Sequence, residues 1–100
     1  MSFESLPLHD AILEKIVFDW PKAEVKVSLS AFVTKGQIAV PYLLSFKSVT
    51  ALECPRCNEW GPSNSILDAK SSGNEFTLQM QSGDVIKIKA ASYVFKSGSL

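Results

Sequence analysis

Glu24-Val25-Lys26-Val27-Ser28-Leu29-Ser30-Ala31-Phe32 is the cleanest strand in the chain. Val25, Val27, Leu29 and Ala31 recur at every second position, with Glu24, Lys26, Ser28 and Ser30 between them. Successive strand side chains point to opposite faces, so this pattern predicts one buried face and one wet face, as in an antiparallel sheet.

The flanking sequence extends the sheet. Glu14 to Trp20 reads as a strand with Glu14, Ile16, Phe18 and Trp20 on one face and Lys15, Val17 and Asp19 on the other. A helix capped by Asp10 would bury Ile12, Leu13, Ile16 and Val17, and it stays open for the first few residues. Aromatic and β-branched residues before Pro21 favour the strand. Trp20-Pro21-Lys22-Ala23 then supplies the turn of a hairpin.

Downstream, Thr34-Lys35-Gly36-Gln37 reads as a second turn. Ile38 to Phe46 is apolar, but Pro41 cannot donate to a ladder, which predicts an edge strand or a break there. Ser48 to Glu53 is a short strand, Cys54 to Ser65 a loop rich in Pro, Gly, Asn and Ser, and Ile66 to Lys70 a further strand. A final hairpin pairs Phe76, Leu78 and Met80 with Ile86, Ile88 and Ala90 around the turn Ser82-Gly83-Asp84. Tyr93 to Phe95 extend the sheet or pack beneath it, and Lys96 to Leu100 read as a frayed tail. The expected fold is therefore all-β, a single antiparallel sandwich or small barrel of about seven strands, with room for one short helix near the N-terminus.

A chain of 100 residues, 46% apolar and 20% charged, suits a single β domain spanning residues 1–100. Ten basic residues balance ten acidic ones, so the electrostatic footprint of a nucleic-acid binder is missing. Acidic residues concentrate in the first quarter and lysines near the end, a division that fits two edges facing different partners, pairing across the sheet or simple exposure to water, the last two being favoured. No apolar run reaches the roughly 18 residues that span a bilayer. Met1 to Leu8 lacks a basic and apolar leader, which predicts a cytoplasmic protein whose Cys54 and Cys57 are thiols.

Chemistry-bearing residues are few. Cys54-Pro55-Arg56-Cys57 supplies two sulfurs, enough for a redox pair but half of a structural zinc site. Neither a second CxxC nor an HxxxH motif completes four ligands, and Asn58, Gly61 and Pro62 follow where a thioredoxin-like site would begin a helix. The alternative function of the chain is thus a small metal- or redox-responsive β protein using Cys54 and Cys57. His9-Asp10 is half of a hydrolytic triad at most, since the GxSxG elbow is missing, and a turn cap explains the pair as well. The expectation is a non-enzyme without a cofactor or metal. Trp60 sits in a loop stiffened by Gly61 and Pro62, either as an exposed protein-binding anchor or folded back on the core. The remaining aromatics read as core or half-buried sheet residues.

Leu8-His9-Asp10-Ala11, Phe18-Asp19-Trp20, Pro55-Arg56-Cys57-Asn58-Glu59-Trp60-Gly61-Pro62-Ser63 and Gln81-Ser82-Gly83-Asp84 occur in this order over most of the chain. Together they resemble a group of small bacterial proteins with LHDA near the start, a PRxxxWGPS-like loop and an SGD turn near the end. In size and architecture that group is similar to the immunity proteins of bacterial toxin systems, including contact-dependent growth inhibition. The resemblance implies a protein-binding module that neutralises a cognate toxin by occluding it. It carries no catalytic role onto His9, Asp10, Trp60 or Ser63, and it implies no metal. The expected partner is a toxin protein, a nuclease among the candidates, with no direct contact to nucleic acid or membrane. The chain itself would be a monomer or weak dimer. The residues expected to meet the partner are Glu14, Asp19, Glu24, Lys26 and Trp60.

Overall fold

The computed structural model describes residues 2–32 and 38–98. After a 3-10 turn at Phe3–Ser5 come eight strands: β1 (Ile12–Asp19), β2 (Glu24–Ala31), β3 (Val40–Lys47), β4 (Ala51–Glu53), β5 (Ile66–Ser72), β6 (Glu75–Met80), β7 (Val85–Lys89) and β8 (Ser92–Ser97). They form two four-stranded antiparallel sheets, ordered β1-β2-β3-β8 and β4-β7-β6-β5. The fold is all-β, as the alternation predicts. The helix capped by Asp10 does not form, since Ile12–Asp19 is strand; a 3-10 turn at Phe3–Ser5 precedes it, and the predicted turn at Thr34–Gln37 lies outside the described residues.

One apolar cluster joins the sheets. Val25, Val27 and Leu29 of β2 meet Leu44 and Phe46 of β3 on one side, and Leu78 and Ile88 of the second sheet on the other. Phe3 plugs this cluster. It is 2% exposed, and its ring packs edge-on against Phe76 and Tyr93, each with centroids 5.1 Å apart. Edge-to-face aromatic packing of this kind adds to area burial because the ring edge is positive and the face negative. The N-terminal segment is thus part of the core, which its short, unpatterned sequence does not announce.

Several expectations need correction. β1 shifts register between Leu13 and Lys15. The bulge turns Glu14 away from Ile16 and Phe18, and Leu13 takes its place opposite Leu29. The face of β2 expected to be wet is half covered: Ser28 is buried, flanked by Lys15 on β1 and Leu43 on β3. Small side chains in the middle of a sheet are shaded by longer neighbours on both sides. β3 is neither broken nor an edge, since β2 and β8 flank it. Pro41 is tolerated because its carbonyl accepts the Gly98 N–H at 3.0 Å, so its nitrogen faces the side on which β8 ends at Ser97. Lys96 and Ser97, read as tail, pair with Leu43 and Tyr42. No helix among the described residues is long and apolar enough to cross a membrane.

Candidate functional site

The β6–β7 turn organises one end of the molecule. Asp84 is buried there, yet its carboxylate is fully partnered. Oδ1 accepts the Cys57 amide at 2.7 Å, while Oδ2 accepts the Asn58 amide at 3.1 Å and the Ser82 hydroxyl at 2.8 Å. The Cys57 amide, first among these donors, holds the Asp84 carboxyl below its ordinary value. The Ser82 hydroxyl and Asn58 amide add to the effect, and burial partly opposes it. Asn58 adopts a φ of 53°, a left-handed conformation that Asn tolerates better than most residues.

The chain then turns back over the same site. Gly61 N–H closes onto the Asn58 carbonyl at 3.0 Å, and Trp60 N–H donates to the Ser82 carbonyl at 2.9 Å. The Trp60 indole lies over Gly83, where a Cβ would stand 2.9 Å from ring carbon Cδ2. Gly83 has a φ of +92°, so both the backbone and the ring require glycine there. Trp60 is nonetheless 63% exposed. It has not folded back into the core; the loop holds it on the surface with one face supported.

The first segment of the resemblance arrives at the same turn. Asp10, at φ 65°, accepts the Gln81 side-chain amide at 2.7 Å. Its own N–H donates to the Ile66 carbonyl at 2.8 Å, and Gln81 N–H donates to the Ser65 carbonyl at 2.9 Å. His9 Nδ1–H donates to the Leu67 carbonyl at 2.6 Å, and Nε2 lies 3.5 Å from Asp10 Oδ2. Both His9 contacts anchor the entry to β1. Ser63, within the WGPS run, accepts the Ser65 amide at 3.1 Å.

Beside this platform, a groove of about 410 Å³ opens between β1 and the loop that follows β4. Leu13, Ile16, Cys54, Pro55 and Ile86 give it apolar walls, with Glu14 and Arg56 at hand. A second, more open hollow of about 370 Å³ is lined by Phe18, Trp20 and Leu52. The Phe18 and Trp20 ring centroids are 5.7 Å apart, and Trp20 is 81% exposed.

Asp19, Glu24 and Lys26 share the outer face of the first sheet, Glu14 reaches Ser30 on that face, and Trp60 stands apart. Glu14 borders the groove and accepts the Ser30 hydroxyl at 3.3 Å. Asp19 accepts the Lys22 amide at 3.3 Å in the β1–β2 turn. Glu24 accepts from Lys47 Nζ at 2.8 Å, and that hydrogen bond is the first cause of its lowered pKa. Lys26 stands between Val17 and Ser45 on the outer face of the first sheet. Glu14 and Asp19 are five residue steps apart along β1, about 16 Å. Trp60 lies on the loop between β4 and β5, over Gly83 of the β6–β7 turn.

Cys54 and Cys57 are both exposed free thiols. It is the Cys57 backbone that the site uses. Among the described residues, no group of three or more His, Cys, Asp or Glu could hold a metal ion. Sequence reasoning identified Ser82-Gly83-Asp84 as a turn but missed Asp84 and Gln81 as the residues that fasten two distant segments to it. The available signal was a polar motif richer than a two-residue turn requires. Family models, curated proteins and solved structures contain no match to this chain.

Proposed function

We propose that this chain is a protein-binding domain of the immunity type, which neutralises a cognate bacterial toxin by covering it, with Trp60 as the central anchor. One observation carries the reading: a large aromatic ring is pinned in place by its own backbone, by Gly83 and by the Asp84 clamp, and still exposes 63% of its surface. Burying an exposed indole against a partner releases apolar area, and pre-ordering the ring removes the entropic cost of fixing it on binding. Arg56 and Glu59, both exposed on the same loop, supply charges at the rim, where they steer encounter more than they set affinity. The resemblance of the LHDA, PRxxxWGPS and SGD segments to small bacterial proteins of immunity-like architecture supports the choice of partner.

The test is co-expression with the toxin encoded beside this protein, followed by purification through a tag on this chain. A stoichiometric complex, with cells surviving only when both proteins are made, is the expected result. Trp60→Ala should weaken the complex by about 30-fold or more, the range of an interface hot spot. Absence of both complex and protection would overturn the reading.

A further inference from the structure

We propose that the free edge of β1 pairs with the β1 edge of a second copy of this chain, forming a two-fold symmetric dimer. This interface lies along β1, whose Lys15 and Ile16 also border the groove beside the Trp60 platform. β2 occupies one side of β1. On the other side, the Ile12–Ser65 bridge and the Leu13 amide bonded to the Asn64 carbonyl cover only the first two residues. Past the bulge, Lys15 to Asp19 is regular strand with no partner on its outer edge among the described residues. Such an edge presents unpaired backbone groups and is a ready template for another strand.

The occupant follows from the order of residues along that edge. Lys15-Ile16-Val17-Phe18-Asp19 complements its own reverse. With Val17 on the two-fold axis of an antiparallel pair, Lys15 stands opposite the partner subunit's Asp19. Ile16 stands opposite the partner subunit's Phe18, and Val17 opposite the partner subunit's Val17. Lys15, Val17 and Asp19 lie on the outer face with Ser28, Lys26 and Glu24, while Ile16 and Phe18 lie on the inner face with Val27 and Val25. Each charge therefore meets its opposite on one face, and each apolar side chain meets another on its own face. Cross-strand pairs of both kinds stabilise a sheet.

Neighbouring registers lose both Lys15–Asp19 charge pairs. Centring the axis on Ile16 sets Lys15 against Val17, and centring it on Phe18 sets Asp19 against Val17. A slip of one residue puts outer-face residues against inner-face ones, which a continuous sheet does not allow. The contact is isologous, so it closes at two copies.

Sedimentation equilibrium of the full chain across a concentration series tests the proposal. Wild type should dimerise, and Lys15→Glu, which sets like charges against each other twice, should be monomeric over the same range. Combining Lys15→Glu with Asp19→Lys restores opposite charges and should restore the dimer. A monomeric wild type, or a Lys15→Glu dimer as tight as wild type, would overturn it. Asp19 also caps the β1–β2 turn, so a second measurement avoids it. In a chain with Cys54→Ser and Cys57→Ser, Val17→Cys should crosslink to itself across the axis under mild oxidation, while Lys26→Cys, one strand further in, should not. Equal crosslinking of the two variants would also overturn the proposal. Loss of the dimer with toxin binding intact would leave the Trp60 reading standing, and the reverse would leave the dimer standing.

Discussion

The Trp60 indole rests on Gly83 so closely that a single added methyl group would stand 2.9 Å from the ring. Two segments that are far apart in sequence thereby share one surface, and each limits what the other can be. The contact explains why a loop with few apolar residues can hold a large aromatic ring in place without burying it.

Gly83→Ala should destabilise the protein by about 1–3 kcal/mol, through a strained left-handed backbone and a clash with the ring. Chemical denaturation would measure the loss, and indole fluorescence would report displacement of Trp60. In a Trp60→Ala background the clash is gone and the backbone cost remains, so the same substitution should cost less there. Equal costs in both backgrounds would mean that the ring does not press on the turn.

Acid should loosen the Cys57–Asp84 clamp. The folded Asp84 carboxyl titrates below its ordinary 3.8, because amide and hydroxyl donors favour the ionised form. A group whose pKa is lowered by folding contributes stability that is fully present above the unfolded value. That contribution is lost as the pH falls through the folded value. Stability should therefore drop below about pH 4, with Glu4 and Glu24, also lowered, contributing in the same direction. Asp84→Asn should be less stable at neutral pH, since an amide turns an N–H towards one of the donors that Asp84 accepts. The gap between the two proteins should narrow as the pH falls through the Asp84 range. A gap independent of pH would contradict the assignment.

Replacing the two thiols should change little. Cys54 and Cys57 are exposed, and of these two residues the clamp uses only the backbone amide of Cys57. Serine at both positions should shift stability by less than about 0.5 kcal/mol, as for surface substitutions generally. Thermal melts with and without zinc would show it. A zinc-dependent rise in melting temperature that disappears with Cys54→Ser would revive the metal reading.

Phe3→Ala should be severe. The ring is 2% exposed and touches Phe46, Phe76 and Tyr93. Removing a buried phenylalanine costs about 3–5 kcal/mol, a large share of the stability of a domain this size. Urea titration should show a much lower midpoint, and an unchanged midpoint would mean that the N-terminal turn is not docked.

Much of the sheet was legible because strand patterning is local. Val25, Val27 and Leu29 reveal their common face to any reader who counts by two, and so do Phe76, Leu78 and Met80. The misreadings have specific causes. A single extra residue at Glu14 reverses the faces on either side of it, and alternation carries no mark of a bulge. Pro41 rules out a ladder partner only on the side its nitrogen faces and only at its own position, and β8 stops just there. Phe3 sits in too short a segment to have a period.

Composition and period determined that this chain folds as antiparallel sheet around one apolar core, because each strand's face depends on residues next to one another. Tertiary structure alone decided that the three motif segments meet. Cys57 and Asp84 are 27 residues apart, and Asp10 and Gln81 are 71 apart. No local pattern encodes contacts over such separations. They arise when sheet pairing carries the β6–β7 turn to the end of the molecule where the entry to β1 and the loop after β4 also arrive, and the hydrogen bonds of Asp84 and Gln81 then hold them together.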